Sequence, residues 1–340
     1  MTAPLPPDKP FGQPAHGGDL AAASALYGVP AGGWIDLSTG INPNAYPFEP
    51  PPLAVSARLP GRELEDALLC AARRYYGTDG EIVAGTGTQA FIQTLPRLRA
   101  AGRVGVRGPT YSEHARAWRQ GGHEVTEVTR FDDLGAFDVA ILVNPNNPDG
   151  RRTEPQRILG LAARMAEKGG LVVVDEAFCD TEPQLSVAGR AGIDGLVVLR
   201  SFGKFFGLAG VRLGFAISSD DTATQLRKAL GPWAVSGPAL HIGTQALADI
   251  KWQASARARL DTKRERIDAL LEGAGQKVLG GTVLFRLVET DGPGLHRHLA
   301  RAGIWSRAFD WSPDRLRLGL PGDEKGWTRR ASALAGFAAG

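Results

Sequence analysis

Three stretches of this 340-residue chain, VAILVN (Val139 to Asn144), LVVVDEAF (Leu171 to Phe178) and LVVLRSF (Leu196 to Phe202), begin with apolar residues in unbroken succession. A strand with one wet face alternates polar and apolar positions, whereas an unbroken apolar run has both faces covered, as parallel strands between helices do. RVGVR and HEVTEV add further strand-like pieces, and helix-period segments such as PQRILGLAARMAEKG separate several of the runs. The pattern predicts an α/β fold with a mainly parallel sheet sandwiched by helices. Polar residues cluster where the strands end, namely Asn147, Asp175 and Lys204. Open α/β sheets bind ligands beyond those carboxyl ends.

After Gly231 the dense pattern stops. One long helical stretch from about His241 to Glu272 is expected, followed by TVLFRLVE, a short helix in GLHRHLARAG, IWSRAF, DRLRLGL and a final helix. This predicts a large domain over 52–232, a smaller α+β domain built from 16–51 and 233–340, and a loosely ordered Pro-rich tail over 1–15. The composition, 43% hydrophobic and 22% charged with a net charge of +3, is that of a soluble globular chain. No basic run marks a nucleic-acid surface, no apolar run approaches the ~20 residues of a membrane helix, and MTAPLPPDKPFGQP lacks the parts of a signal peptide. Cys70 and Cys179 exclude a disulfide framework and read as core thiols in a reducing, cytoplasmic setting.

Chemistry concentrates first in VLRSFGKFFGLAGVRLGF, from Val198 to Phe215. A lysine just past a strand end, among glycines and phenyl rings, is poorly placed as a solvated charge, and a desolvated lysine near a second cation such as Arg212 becomes a nucleophilic amine. An amine that condenses with the aldehyde of pyridoxal phosphate needs phosphate donors nearby, and Ser201, Arg212 and a helix N-terminus suit that role. EIVAGTGTQAFIQTLPRL reads as strand, glycine turn and helix. Its GTGTQA piece also matches a dinucleotide turn, but that use wants an acidic residue about 20 positions on, where Val104, Val106 and Arg107 stand. Gly87, Thr88 and Gln89 are therefore expected to offer backbone amides to a single phosphate.

Asp175 suits the pyridine nitrogen, which must stay protonated, with turn capping as the other use of a strand-end Asp. Asn147, in NPNNPDG, can donate to the phenolate oxygen or serve only Asn-Pro turn chemistry. Tyr111, in GPTYSEH, can stack on a cofactor ring or belong to the core.

Taken in order, GTGTQ, PTY, NPNNPDG, DEAF, SFGK and GVRLGF resemble the fold-type-I pyridoxal-phosphate enzymes of the aspartate aminotransferase superfamily, over nearly the whole chain from His16. The opening HGGDLAAASALYGVP and DLSTGINPNAYP, the DEAF in place of DEAY, and the late IWSRAF and RLRLGL are similar to the histidinol-phosphate aminotransferase branch, and within it to the cobalamin-pathway decarboxylases of threonine phosphate. The resemblance implies a fold-type-I large domain with a seven-stranded sheet, and pyridoxal phosphate as cofactor with no metal. It implies Lys204 as the residue that carries the cofactor, Asp175, Asn147 and Tyr111 around its ring, and Thr88, Gln89, Ser201 and Arg212 at its phosphate.

It further implies that His16, Gly17, Asn42, Arg307 and Arg317 hold a phosphorylated amino-acid substrate, with guanidinium forks suited to phosphate and carboxylate. Exposed strand-edge arginine is the reading that better fits Arg315. The implied reaction is loss of CO2 from L-threonine O-3-phosphate to give (R)-1-aminopropan-2-yl phosphate, in a homodimer. The competing expectations are a phosphate-recognising aminotransferase and, remotely, a non-catalytic sensor of pyridoxal phosphate. Two departures stand out. Leu59 replaces a tyrosine that reaches the partner subunit in relatives, and Gly203 replaces a hydroxyl residue before the lysine.

Overall fold

The computed structural model describes residues 16–338, so the expected Pro-rich tail over 1–15 lies outside the described residues. Two compact units form: one from Asn44 to Ala258, the other from the chain up to Pro43 together with Arg259 onward. The first therefore takes in residues 44–51 and 233–258, which the sequence reading assigns to the smaller domain.

The Asn44–Ala258 unit is built on a seven-stranded sheet. Its order is Glu81–Gly85, Gly214–Ser218, Leu196–Ser201, Leu171–Asp175, Val139–Val143, Arg103–Arg107, Glu124–Val128. All pairings are parallel except those made by Gly214–Ser218, which is antiparallel to both neighbours. The three unbroken apolar runs occupy the middle of the sheet and are buried along their whole length. Glu124–Val128, where Glu124, Thr126 and Glu127 are exposed, is one edge of the sheet. On one face Val106, Ile141, Val173 and Val197 pack with Phe91 and Trp118 in a continuous core.

Helices cover the sheet where the period requires. Arg62–Tyr76 carries Glu63 and Glu65 in its first turn and Arg73 and Arg74 in its last, complementing the helix dipole, and buries Leu68, Ala71, Ala72 and Tyr76. The single long helix expected from His241 to Glu272 is instead two, Gly237–Ala248 and Ile250–Gly273. Asp249 divides them: its Oδ1 accepts from the Trp252 amide at 2.9 Å, and Gln253 Nε2 donates to the Ala246 and Leu247 carbonyls that end the first helix.

The second unit has a four-stranded antiparallel sheet, Arg307–Phe309, Ser312–Gly319, Phe285–Glu289, Lys277–Thr282, and a short parallel pair, Ile35–Asp36 with Ile304–Trp305. Helices Leu20–Tyr27, Gly292–Arg301 and Glu324–Ala338 accompany them. Asp19 caps the first of these through Oδ1 to the Ala22 amide. No helix among the described residues is long and apolar enough to cross a membrane.

Candidate active site

In the Asn44–Ala258 unit the polar residues gather at the strand ends and the turns just beyond. Asp175 closes its strand and is buried, and burying a carboxylate is costly unless it is hydrogen-bonded. Both oxygens are partnered: Oδ1 accepts from the Ala177 amide at 2.9 Å, and Oδ2 lies 2.9 Å from His114 Nε2. An ionised carboxylate only accepts, so Nε2 carries the imidazole proton.

Lys204 follows in the one-turn helix Phe202–Phe205, half-buried, with Nζ 5.6 Å from the centroid of the Phe178 ring. Its neighbour Gly203 has a steric reason. A Cβ there would stand 2.9 Å from the Ala209 Cα, so the turn has no room for a hydroxyl side chain.

Gly87 adopts the left-handed region (φ 81°) and delivers the chain into the helix Thr88–Thr94. Gly214 crosses so close that a Cβ on it would lie 2.5 Å from the Thr88 nitrogen. Arg212, itself at φ 56°, donates to the Ala209 and Thr86 carbonyls, and its guanidinium lies against Gly87. Ser201, in register with Gly214, ends the neighbouring strand. Amides at a helix start beside a guanidinium form a seat for an anion.

Tyr111 precedes the helix Ser112–Gln120, and its hydroxyl donates to Gln89 Oε1 at 3.3 Å. Thr110 Oγ1 and Asn146 Nδ2 tie this turn to the NPNNPDG loop, where Asn147 is half-buried. An amine, a buried carboxylate, an aromatic ring and an anion seat are the donor types that an aldehyde, a protonated pyridine and a phosphate require. The set therefore fits pyridoxal phosphate.

Behind these strand ends lies a buried ionic cluster. Arg200 Nη1 donates to Glu176 Oε2 at 2.5 Å and Nη2 to Asp180 Oδ1, while its guanidinium covers the Tyr76 ring. Glu176 also accepts from Ser186 Oγ and the Val187 amide. Burial pushes the Glu176 pKa up, with Arg200 as the largest opposing influence.

The second unit has its own convergence, on Ser38. Gly17 packs so near that a Cβ would come within 2.6 Å of the Ser38 carbonyl oxygen, the Gly18 amide donates to Ser38 Oγ, and Arg317 Nη2 donates to the Ser38 carbonyl. His16 is exposed and Asn42 buried. Arg307 and Arg317 are register partners on adjacent antiparallel strands, so their side chains leave the same face of the sheet. Like charges placed directly opposite are destabilising. Burial, and then Arg307, lower the Arg317 pKa against the influence of Asp36. Such a pair is relieved by an anion lying across both guanidiniums. Arg315 is half-buried beside Asp314 and outside this pairing.

The sequence reading missed His114, Glu113 and the Arg200 cluster. His114 stands three residues after Tyr111 but meets a residue 61 positions later, a contact made by parallel strand order that no local spacing signals.

A family model for aminotransferase class I and II matches residues 56–332. A threonine-phosphate decarboxylase from Pseudomonas aeruginosa (strain PAO1) is 48% identical over 95% of this chain and 97% of its own length. Another from a Sinorhizobium species is 47% identical, over 94% and 97% respectively. The crystal structure of L-threonine-O-3-phosphate decarboxylase from Porphyromonas gingivalis superposes with a TM-score of 0.74 at 20% identity, covering 89% of this chain and 98% of that one, a likeness of fold. This chain belongs to the class I and II aminotransferase family and, within it, to the threonine-phosphate decarboxylases.

Proposed function

We propose that the chain removes CO2 from L-threonine O-3-phosphate, giving (R)-1-aminopropan-2-yl phosphate for cobalamin synthesis, with pyridoxal phosphate as cofactor. The substrate class rests above all on the opposed pair Arg307 and Arg317, two guanidiniums on one sheet face that favour a molecule carrying two anionic groups. The choice of bond is supported by likeness, over nearly the full length, to two threonine-phosphate decarboxylases.

Bound pyridoxal phosphate supplies an electron sink for the pair left at Cα when a bond there breaks. In this reading the Lys204 amine carries the cofactor and afterwards returns a proton to Cα. Asp175, held by His114 and the Ala177 amide, keeps the proton on the pyridine nitrogen. Thr88, Gln89, Ser201 and Arg212 take the cofactor phosphate, Asn147 the phenolate oxygen, and Tyr111 the ring face. Phe178, beside Lys204, offers no hydroxyl to the phenolate. Arg307, Arg317, His16, Gly17 and Asn42 would hold the phosphate and carboxylate of the substrate.

The proposal extends to a cytoplasmic homodimer. Leu53, Leu59 and Trp233 are 83%, 67% and 59% exposed, and Pro60 and Trp233 line one cavity, so large apolar groups stand open where a second copy would cover them. Incubating the pure protein with carboxyl-labelled L-threonine O-3-phosphate tests the reaction. Labelled CO2 is expected; amine transfer to 2-oxoglutarate without it would overturn the assignment.

A further inference from the structure

The first turn of the Ser112–Gln120 helix sends two consecutive side chains inward: His114 to Asp175 and Glu113 to Gln89. His114 thereby fixes the residue at the pyridine nitrogen, whereas Glu113 reaches Gln89. Glu113 is only 6% exposed, and a carboxylate in that position must be hydrogen-bonded. Its Oε2 accepts from Gln89 Nε2 at 3.0 Å, while its other oxygen is 3.5 Å from Arg116, whose side chain is 59% exposed.

Chemistry gives this contact a direction. A glutamine amide can present oxygen or nitrogen to a neighbour by turning over. A carboxylate only accepts, so Glu113 holds Nε2 toward itself and turns Oε1 outward, where it receives the Tyr111 hydroxyl at 3.3 Å. Turned the other way, the amide would set oxygen against carboxylate and present a donor to the phenol.

We infer that Glu113 is a positioning residue: through Gln89 it fixes the orientation of the Tyr111 ring that packs against the cofactor. The inference rests on the pyridoxal-phosphate reading of this site. It predicts that Glu113→Leu frees the Gln89 amide and lets the Tyr111 ring turn, and that Glu113→Gln, still able to accept through Oε1, preserves the link.

The test is titration of the apoprotein with pyridoxal phosphate. Visible absorbance of the bound cofactor gives both the dissociation constant and the band position for wild type, Glu113→Gln, Glu113→Leu, Tyr111→Phe and the Glu113→Leu/Tyr111→Phe pair. Glu113→Leu is expected to weaken cofactor binding about tenfold, the scale of a hydrogen bond to a charged group, and to shift the band. Glu113→Gln should stay within about threefold of wild type, and the leucine change should cost less than about twofold once Tyr111→Phe has removed the hydroxyl. Unchanged affinity and band in Glu113→Leu, or costs that add fully in the pair, would overturn the inference. The apoprotein thermal midpoint is read alongside. If Glu113→Leu does not fold, Gln89→Leu cuts the same link and must shift the band and the affinity in the same way, or the inference fails. A wild-type protein that gives no visible band would instead refute the cofactor reading itself.

Discussion

Two buried arginines, one in each unit, are held in opposite ways. Arg200 is 3% exposed and Arg317 is 5% exposed, so their desolvation is similar. Around Arg200, burial disfavours the charge, but Asp180 and Glu176 outweigh it, and the pKa rises well above the usual arginine value. Around Arg317, burial is reinforced by Arg307 across the strand pair, and the pKa falls. The charge of Arg200 is spent inside the protein, tying the strand that ends at Ser201 to the loop after Asp175. The charge of Arg317 meets the Ser38 carbonyl and the influence of Asp36, yet burial and Arg307 together prevail and its pKa falls. Arg200 is architecture, and recognition is the role proposed for Arg317.

That contrast can be broken from either side. Arg200→Met leaves Glu176 and Asp180 as buried carboxylates without their cation. It should destabilise the protein by about 3–5 kcal/mol in denaturant titration, as removal of one member of a buried ion pair does. Arg317→Met should lower kcat/KM toward L-threonine O-3-phosphate by about 2–4 kcal/mol, roughly 30- to 1000-fold, with KM carrying much of the change.

Acid should loosen the arginine-bearing unit through His296. This histidine lies next to Ser306 and close to Arg307, and burial, then Arg297 and Arg307, push its pKa down to about 4. Its folded pKa is below the unfolded value of about 6.5, so its stability contribution is intact above that pH and lost as pH falls toward 4. The loss is about 3 kcal/mol in all. A pH series of denaturant midpoints should show this slope in wild type and its absence in His296→Gln. The smallest expected effect is on the apoprotein: sulfate at ten times its dissociation constant should stabilise it by about 1.4 kcal/mol in a thermal shift experiment, and less after Arg307→Met.

Much of the sheet-end site is legible in the sequence because its signals are local. Unbroken apolar runs mark strands buried on both faces, and the polar residue that follows each run must lie at a strand end. Lys204, Asp175 and Asn147 follow from that logic. What escapes is set by register and by order in space. Arg307 faces Arg317 only because the hairpin slips at Ala308/Phe309, a bulge with no separate sequence mark. His114 reaches Asp175 because the sheet brings their elements together. The break at Asp249 is hidden for a different reason. Helical periodicity runs through it, and an aspartate that caps a new helix looks the same in sequence as one on a helix surface.

The contrast between the two arginines is tested most directly by the thermal midpoint of Arg317→Met, with and without L-threonine O-3-phosphate. Replacing a buried, opposed charge by an apolar side chain should leave the ligand-free midpoint unchanged or raised, and should abolish the rise that substrate produces in wild type. A ligand-free loss as large as that of Arg200→Met, with the substrate-induced rise retained, would contradict it.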